Sequence, residues 1–355
     1  MELTEEMEKS VRSELDKIQG EIGPSFDTGE FSNKIIALVD YLHDSEKRLI
    51  IAIEKSQHLP PTVKVPESGR AEFGWLPYLF KHAKDTGSSD PLVKYLQEVL
   101  KRVFGKYEST LESLLRLLGI LLDPQITREQ WIYLEKNMGE HDIIAGDGTI
   151  VGDGKYEDLD KDWLYAPVWY LFNLVFPTDV ARFTPPKPTA PFNSTIGSGL
   201  QSINIAIIGD WGTGKYESAS GYDPATWVMQ AVENLKPDYV IHLGDVYYAG
   251  TELRYPPGEE AYNFLDLWPN KFSGKSFTLN SNHEMYGGAQ GYFNIALNRR
   301  DPRSSPFSVQ KGFSYFALEF DPWVLVGLDA AYNDTSTLYM QGGIGTEKLF
   351  PVILS

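Results

Sequence analysis

Residues 203–210 read INIAIIGD, an apolar run that closes on Gly209-Asp210. A short run rich in Ile and bounded by a turn signal reads as a buried strand. The same pattern recurs downstream. PATWVMQAVENL (Pro224–Leu235) has helical spacing, and DYVIHLGD (Asp238–Asp245) is a second strand ending in Gly-Asp. AYNFLDLW (Ala261–Trp268) reads as helical, and SFTLNSNHE (Ser276–Glu284) as a third strand ending in polar residues. Asp210, Asp245 and Asn282 follow one another at intervals of about 35 residues, the length of one βα unit. Strand–helix–strand repetition predicts a parallel sheet with functional loops at the carboxyl ends of its strands. GFSYFALEF and WVLVGLD then read as a hairpin around Asp321-Pro322.

Upstream the pattern is different. SVRSELDKIQGEI, the stretch Phe31–Ser56 and the stretch Pro91–Leu122 carry apolar residues at helical spacing, with Gly105 interrupting the last. Asp123-Pro124 ends that run, and Thr127 reads as a fresh N-cap. HLPPTVKVPESGR is a break. GDGTIVGDGKYEDLD lacks the residue order of a calcium loop and reads as a polar surface loop. His43, His58, His82 and His141 share no ligand spacing. FTPPKPTAPFNSTIGSG (Phe183–Gly199), with its four prolines, suits a semi-extended connector. The expected organisation is α+β in two domains. Residues 1–182 form an all-α domain, 183–199 the linker and 200–355 an α/β domain. The helical half carries no assigned chemistry and is a candidate docking module for a protein partner.

Composition narrows the classes. Hydrophobic residues make up 42% and charged residues 23% of 355, an ordinary globular balance. A formal net charge of -17 argues against nucleic acid or an anionic membrane as partner. Cysteine is absent, so neither a disulfide nor a thiolate metal site is available. The N-terminus has no apolar core of a secretory signal, which reads as cytoplasmic. The most apolar stretch, Trp163–Phe176, contains Pro167 and is shorter than the roughly 20 residues a bilayer span needs, so it reads as a buried or interfacial helix.

The strand ends carry the chemistry. Gly209-Asp210-Trp211-Gly212, Gly244-Asp245-Val246-Tyr247-Tyr248 and Asn282-His283-Glu284 supply carboxylates, phenols, an amide and an imidazole. Those groups can hold two hard or borderline metal ions beside a phosphate ester. Asp210 can bind one ion, Asp245 can bridge two, Asn282 can offer its carbonyl to the second, and Tyr248 can offer a phenolate that favours a trivalent ion such as iron. His283 and Glu284 suit proton transfer and orientation. Tyr247 and Tyr248 are adjacent, and on an extended segment only one of them faces Asp210. A second motif overlaps the first loop. Residues 209–216 nearly fit the P-loop pattern with Lys215, but Tyr216 stands where a small hydroxyl is required.

Residues 203 to about 335 resemble the calcineurin-like metallophosphoesterase family, most closely its purple-acid-phosphatase branch. The matching residues are Asp210-x-Gly212, Gly244-Asp245-x-x-Tyr248 and Ser281-Asn282-His283-Glu284, with Ser281 where the family has Gly. Gly327-Leu328-Asp329 resembles the end of the family's next core strand. The resemblance implies a four-layer sandwich, present here in part, with Asp210 and Tyr248 on a first, ferric ion. Asp245 would bridge, Asn282 would bind a second ion (Zn, Mn or Fe), and His283 would assist the leaving group. It implies a phosphate monoester or diester substrate. It also implies a further histidine and a Gly-His-x-His block, and no histidine follows His283. The expectation is a domain cut before its last ligand motifs. A catalytically impaired interaction scaffold and a P-loop-like nucleotide binder are the competing readings.

Overall fold

The structure, a computed structural model, describes residues 4–58, 73–83, 91–137, 143–144, 150–151, 155–156, 160–183, 193–195, 202–216, 223–252, 258–320 and 322–342. The break from Leu59, His141, Asp321, the tail from Gly343 and most of segments 139–161 and 183–199 lie outside the described residues. The chain divides into two compact units, residues 1–168 and 169–355.

The first unit is built on helices whose ends follow local chemistry. Thr4 caps α1 (Glu5–Ile22), its hydroxyl accepting the Met7 N–H at 3.3 Å. Asp27 accepts the N–H groups of Gly29 and Glu30 at the start of α2 (Thr28–His58). α3 spans Leu76–Ala83 and α4 Pro91–Phe104. Gly105 then takes φ +56°, which ends α4 and lets α5 (Glu108–Leu121) start in a new direction. Thr127 and Gln130 exchange side-chain-to-backbone hydrogen bonds at 2.9 and 3.2 Å, a capping box that opens α6 (Arg128–Asn137). α1, α2, α4 and α5 bury Leu15, Ile18, Leu38, Leu42, Leu96, Leu100, Leu117 and Leu118. The all-α expectation is corrected in one place: β1 (Ile143–Ile144) and β2 (Ile150–Val151) pair antiparallel, two β-branched pairs that suit an extended ladder. His43 stands against Glu46 and His82 against the Tyr78 ring, so both are packing residues. The apolar stretch forms a buried helix, α7 (Tyr165–Val175), with Pro167 tolerated in its first turn. Among the described residues no helix is long and apolar enough to cross a membrane.

The second unit contains two small sheets. β3 (Asn193–Thr195) lies within the expected connector, so that part of it is sheet. β4 (Ile205–Ile208) is followed by α8 (Pro224–Leu235), capped by Asp223 on the Thr226 N–H. β5 (Tyr239–His242) and β6 (Ser276–Thr278) complete a parallel sheet in the order β4-β5-β6. The third strand is shorter than expected. Asn282, His283 and Glu284 instead sit on a short helix, α9 (Asn282–Tyr286), because Ser281 and Glu284 form a capping box. β7 (Phe316–Phe320) and β8 (Trp323–Gly327) form the expected hairpin, and β3 pairs with β7 in parallel. The sheets meet through Ile241, Phe277, Phe316 and Leu318. The opposite face of the parallel sheet packs on Trp211, Met229, Phe264 and Trp268. Among the described residues β8 pairs only with β7, and Trp323, Val324, Leu325 and Val326 are 74%, 59%, 38% and 37% exposed.

Candidate active site

The parallel register brings the carboxyl ends of β4, β5 and β6 to one edge of the sheet, and Asp210, Asp245 and Asn282 follow those ends. The first two loops touch at Gly212. A Cβ there would lie 2.7 Å from Val246 Cα and 2.9 Å from the Asp245 carbonyl oxygen, so only glycine permits the approach. The contact includes a parallel bridge to Val246 and a Tyr247 N–H donated to the Gly212 carbonyl at 2.9 Å. Trp211 anchors the loop from beneath, donating its Nε1–H to the Ala225 carbonyl at 2.8 Å. Asp210 and Asp245 hold φ of +53° and +73°, turns that an Asp side chain tolerates. Asp210 is exposed, whereas Asp245 is partly buried. Burial raises the Asp245 pKa, and the charge and hydrogen bonding of Asp210 raise it further, while His283 and Ser281 lower it. Neither carboxylate has a Lys or Arg ion pair among the described residues. Two adjacent carboxylates at strand ends, on loops held together by an obligatory glycine, repel each other and have the chemistry to hold a cation.

Residues 203–352 match the calcineurin-like phosphoesterase family. No curated protein and no solved structure matches the chain. The phosphoesterase domain therefore comprises the β4–β8 portion of the second unit, and the helical N-terminal region precedes it.

Within the phosphoesterase domain, Ser281 ties the third loop to the second. Its hydroxyl lies against both Asp245 Oδ1 and Glu284 Oε2 and accepts the Asp245 N–H at 2.9 Å and the His283 N–H at 3.3 Å. One hydroxyl hydrogen cannot serve two carboxylates fully, so this crowding favours a proton on one of them. Glu284 is the stronger candidate, since burial first and the Asp245 charge second push its pKa up to about 7. Glu284 also accepts the N–H groups of Ser281 at 2.9 Å and Val246 at 3.1 Å. It is 1% exposed, and these bonds orient the loop. His283 is buried, with Nδ1 3.0 Å from the Tyr248 carbonyl. A carbonyl only accepts, so Nδ1 carries hydrogen and Nε2 is the nitrogen left for proton exchange. Asn282 donates Nδ2 to the Tyr286 hydroxyl at 2.9 Å, which leaves its carbonyl oxygen as a donor atom for an ion.

The neighbouring phenol, Tyr247, places its hydroxyl on Asp210 Oδ1, at 2.7 Å. The two-faced alternation of a strand does not apply because residues 247–249 form a turn, and the two rings stand 6.4 Å apart and nearly perpendicular. Asn263 supports this turn, its Nδ2 on the Tyr247 carbonyl at 2.6 Å and its own carbonyl on the Gly214 N–H at 3.0 Å. That second bond also engages an N–H that a P-loop would turn toward phosphate. In a P-loop the loop N–H groups face phosphate and the helix opens at the Lys. Here Thr213 and Gly214 donate to Trp211 and Asn263 carbonyls, and α8 opens only at Pro224.

The donor set fits one hard cation between Asp210 and Asp245. Among the described residues no three His, Asp or Glu side chains converge on a common metal position, so a second ion would rest on Asp245 and Asn282. His242, beneath the loops, is fully buried and stacks on Phe264 at 4.4 Å. Burial pushes its pKa down to about 3, which keeps it neutral.

Proposed function

We propose that the phosphoesterase domain is a metal-dependent phosphoester hydrolase with a two-metal centre of purple-acid-phosphatase type, acting on a phosphate monoester or diester. The observation that supports this reading is the pairing of Asp210 and Asp245 at neighbouring strand ends, with a tyrosine hydroxyl on the first at 2.7 Å. Asp210 and Asp245 would hold the first ion, iron in the branch the motifs resemble. Asp245 and the Asn282 carbonyl would hold the second, Zn, Mn or Fe. When bound, such ions supply Lewis acidity and a water acidic enough to attack phosphorus at neutral pH. Tyr247 stands beside Asp210 as its phenol partner, with Tyr248 the neighbour that the family spacing selects. His283, its tautomer set by the Tyr248 carbonyl, would offer Nε2 to the leaving oxygen. Ser281 and Glu284 hold Asp245 in place.

The test is a calorimetric titration of the full chain with Mn²⁺ and Fe²⁺, paired with hydrolysis of an aryl phosphate. Metal-dependent hydrolysis that disappears in Asp210→Asn supports the reading, whereas absence of both binding and turnover overturns it. One observation favours a non-catalytic scaffold: the shortage of His and carboxylate ligands for a second ion among the described residues. A chain that binds one ion tightly without hydrolysing the ester would support that alternative.

A further inference from the structure

Every backbone N–H from Asp245 to Thr251 has an acceptor, and most of those acceptors are carboxylates. Asp245 donates to Ser281 Oγ, and Val246 donates to Glu284 at 3.1 Å. Tyr247 and Gly250 donate to the Gly212 and Val246 carbonyls, each at 2.9 Å. The other three converge on one side chain. Tyr248 donates to Glu259 Oε1 at 2.6 Å, Ala249 to Oε2 at 2.9 Å and Thr251 to Oε2 at 3.4 Å. Thr251 Oγ1 also lies 3.3 Å from Glu259 Oε2 and accepts the Glu259 N–H at 3.2 Å, which closes the loop on itself. Glu259 is 2% exposed.

A buried carboxylate without a basic partner is costly unless hydrogen bonds surround it. Among the described residues Glu259 meets that condition through this turn, so turn and carboxylate specify each other. Adjacent Glu260 supplies the contrast. It is 0% exposed, yet neither of its carboxyl oxygens has a hydrogen-bond partner among the described residues. Equal burial with opposite bonding separates the effect of burying an acid from the effect of holding the turn.

We infer that Glu259 is a positioning residue: its carboxylate organises the Tyr247–Thr251 turn and thereby sets the Tyr247 hydroxyl on Asp210. The consequence for metal binding rests on the hydrolase reading, while the clamp itself does not. The decisive measurement is site-resolved amide hydrogen exchange on the full metal-free chain, comparing wild type, Glu259→Gln and Glu260→Gln. Glutamine keeps the size but replaces one acceptor oxygen with a donor. In Glu259→Gln, exchange at Tyr248, Ala249 and Thr251 should accelerate by about tenfold or more, the loss expected for charge-assisted bonds. Val246, held by Glu284, and the amides of β5 should keep wild-type rates. Glu260→Gln should leave all of them unchanged. Uniform acceleration in Glu259→Gln, or wild-type rates at the three amides, overturns the clamp. A parallel Mn²⁺ titration separates the two claims. Weaker binding by Glu259→Gln supports transmission to the site, and wild-type affinity despite faster exchange refutes it. No binding by the wild-type chain sinks the hydrolase reading, and the exchange pattern still decides the clamp.

Discussion

Replacing Gly212 by alanine tests whether the first two loops must touch for the site to exist. The added Cβ would fall 2.7 Å from Val246 Cα, 2.8 Å from Val246 Cγ2 and 2.9 Å from the Asp245 carbonyl oxygen. Two of these are main-chain atoms, so no rotamer change relieves the clash and the loops must part. Overpacking costs about 1–3 kcal/mol, and stretching the Tyr247 N–H bond to the Gly212 carbonyl adds about 1 kcal/mol, which together centre on about 3 kcal/mol. For a unit of this size that lowers the thermal midpoint by about 6–12 °C. The displacement also moves Asp210 away from Asp245. Metal–oxygen bonds of about 2.0–2.2 Å tolerate little such movement, so Mn²⁺ affinity should fall by more than about tenfold. Thermal unfolding followed by circular dichroism, with calorimetric Mn²⁺ titration, reads both effects. Gly20→Ala is the control. Gly20 lies within α1 with nothing inside 4 Å of its Cβ position, so this change should stabilise by about 0.5–1 kcal/mol and spare Mn²⁺ affinity. A Gly212→Ala chain with wild-type midpoint and affinity would refute the reasoning.

Tyr247→Phe removes the hydroxyl on Asp210 and should weaken Mn²⁺ binding by about tenfold, more than Tyr248→Phe does. The reverse ranking in titrations of both variants would restore the assignment drawn from motif spacing. Asp245→Asn deletes a partly buried carboxylate that stands against Asp210, so the metal-free chain should melt at higher temperature while metal binding is lost. A lower melting point would contradict the like-charge account. Stability of the metal-free chain should also fall as pH rises. Glu284 titrates near 4.5 when unfolded and about 7 when folded, so below 4.5 it is protonated in both states and contributes no slope. Between 4.5 and about 7 the unfolded chain releases its proton first, and the folded state loses ground. Urea midpoints across that window should decline in the wild type and much less in Glu284→Gln; parallel declines would remove Glu284 as the source.

Legibility in the sequence followed the range over which each signal acts. α8 is readable because the apolar period of Pro224–Leu235 is local, and the hairpin β7–β8 because two runs flank a turn. The parallel sheet is readable from apolar runs alternating with helical patterns at the length of a βα unit. The apolar run before Asn282–Glu284 suggests a continuing strand, whereas Ser281-x-x-Glu284 is the pattern of a helix start, and the helix forms. Motif spacing selects Tyr248, and spacing alone does not register that residues 247–249 turn. Glu259, Asn263 and Ser281 were missed as supports of the site. Their work consists of accepting main-chain N–H groups from other loops, and nothing in residue type or spacing marks which amides will need an acceptor.

β8 has a consequence for how the protein behaves in a tube. Among the described residues β8 has one unpaired row of amides and exposed apolar side chains, and such an edge is a template on which further strands can grow. The opposing force is the net charge of -17, which keeps chains apart at low ionic strength and near neutral pH. Solubility is then set by a contest between a short sticky edge and a long-range field. Added salt screens the field, and acidification toward the isoelectric point near 4.8 removes it, while the edge stays as adhesive as before. A single lysine at Val324, 59% exposed on that strand, would tilt the contest back without touching the carboxylates at the other sheet's edge.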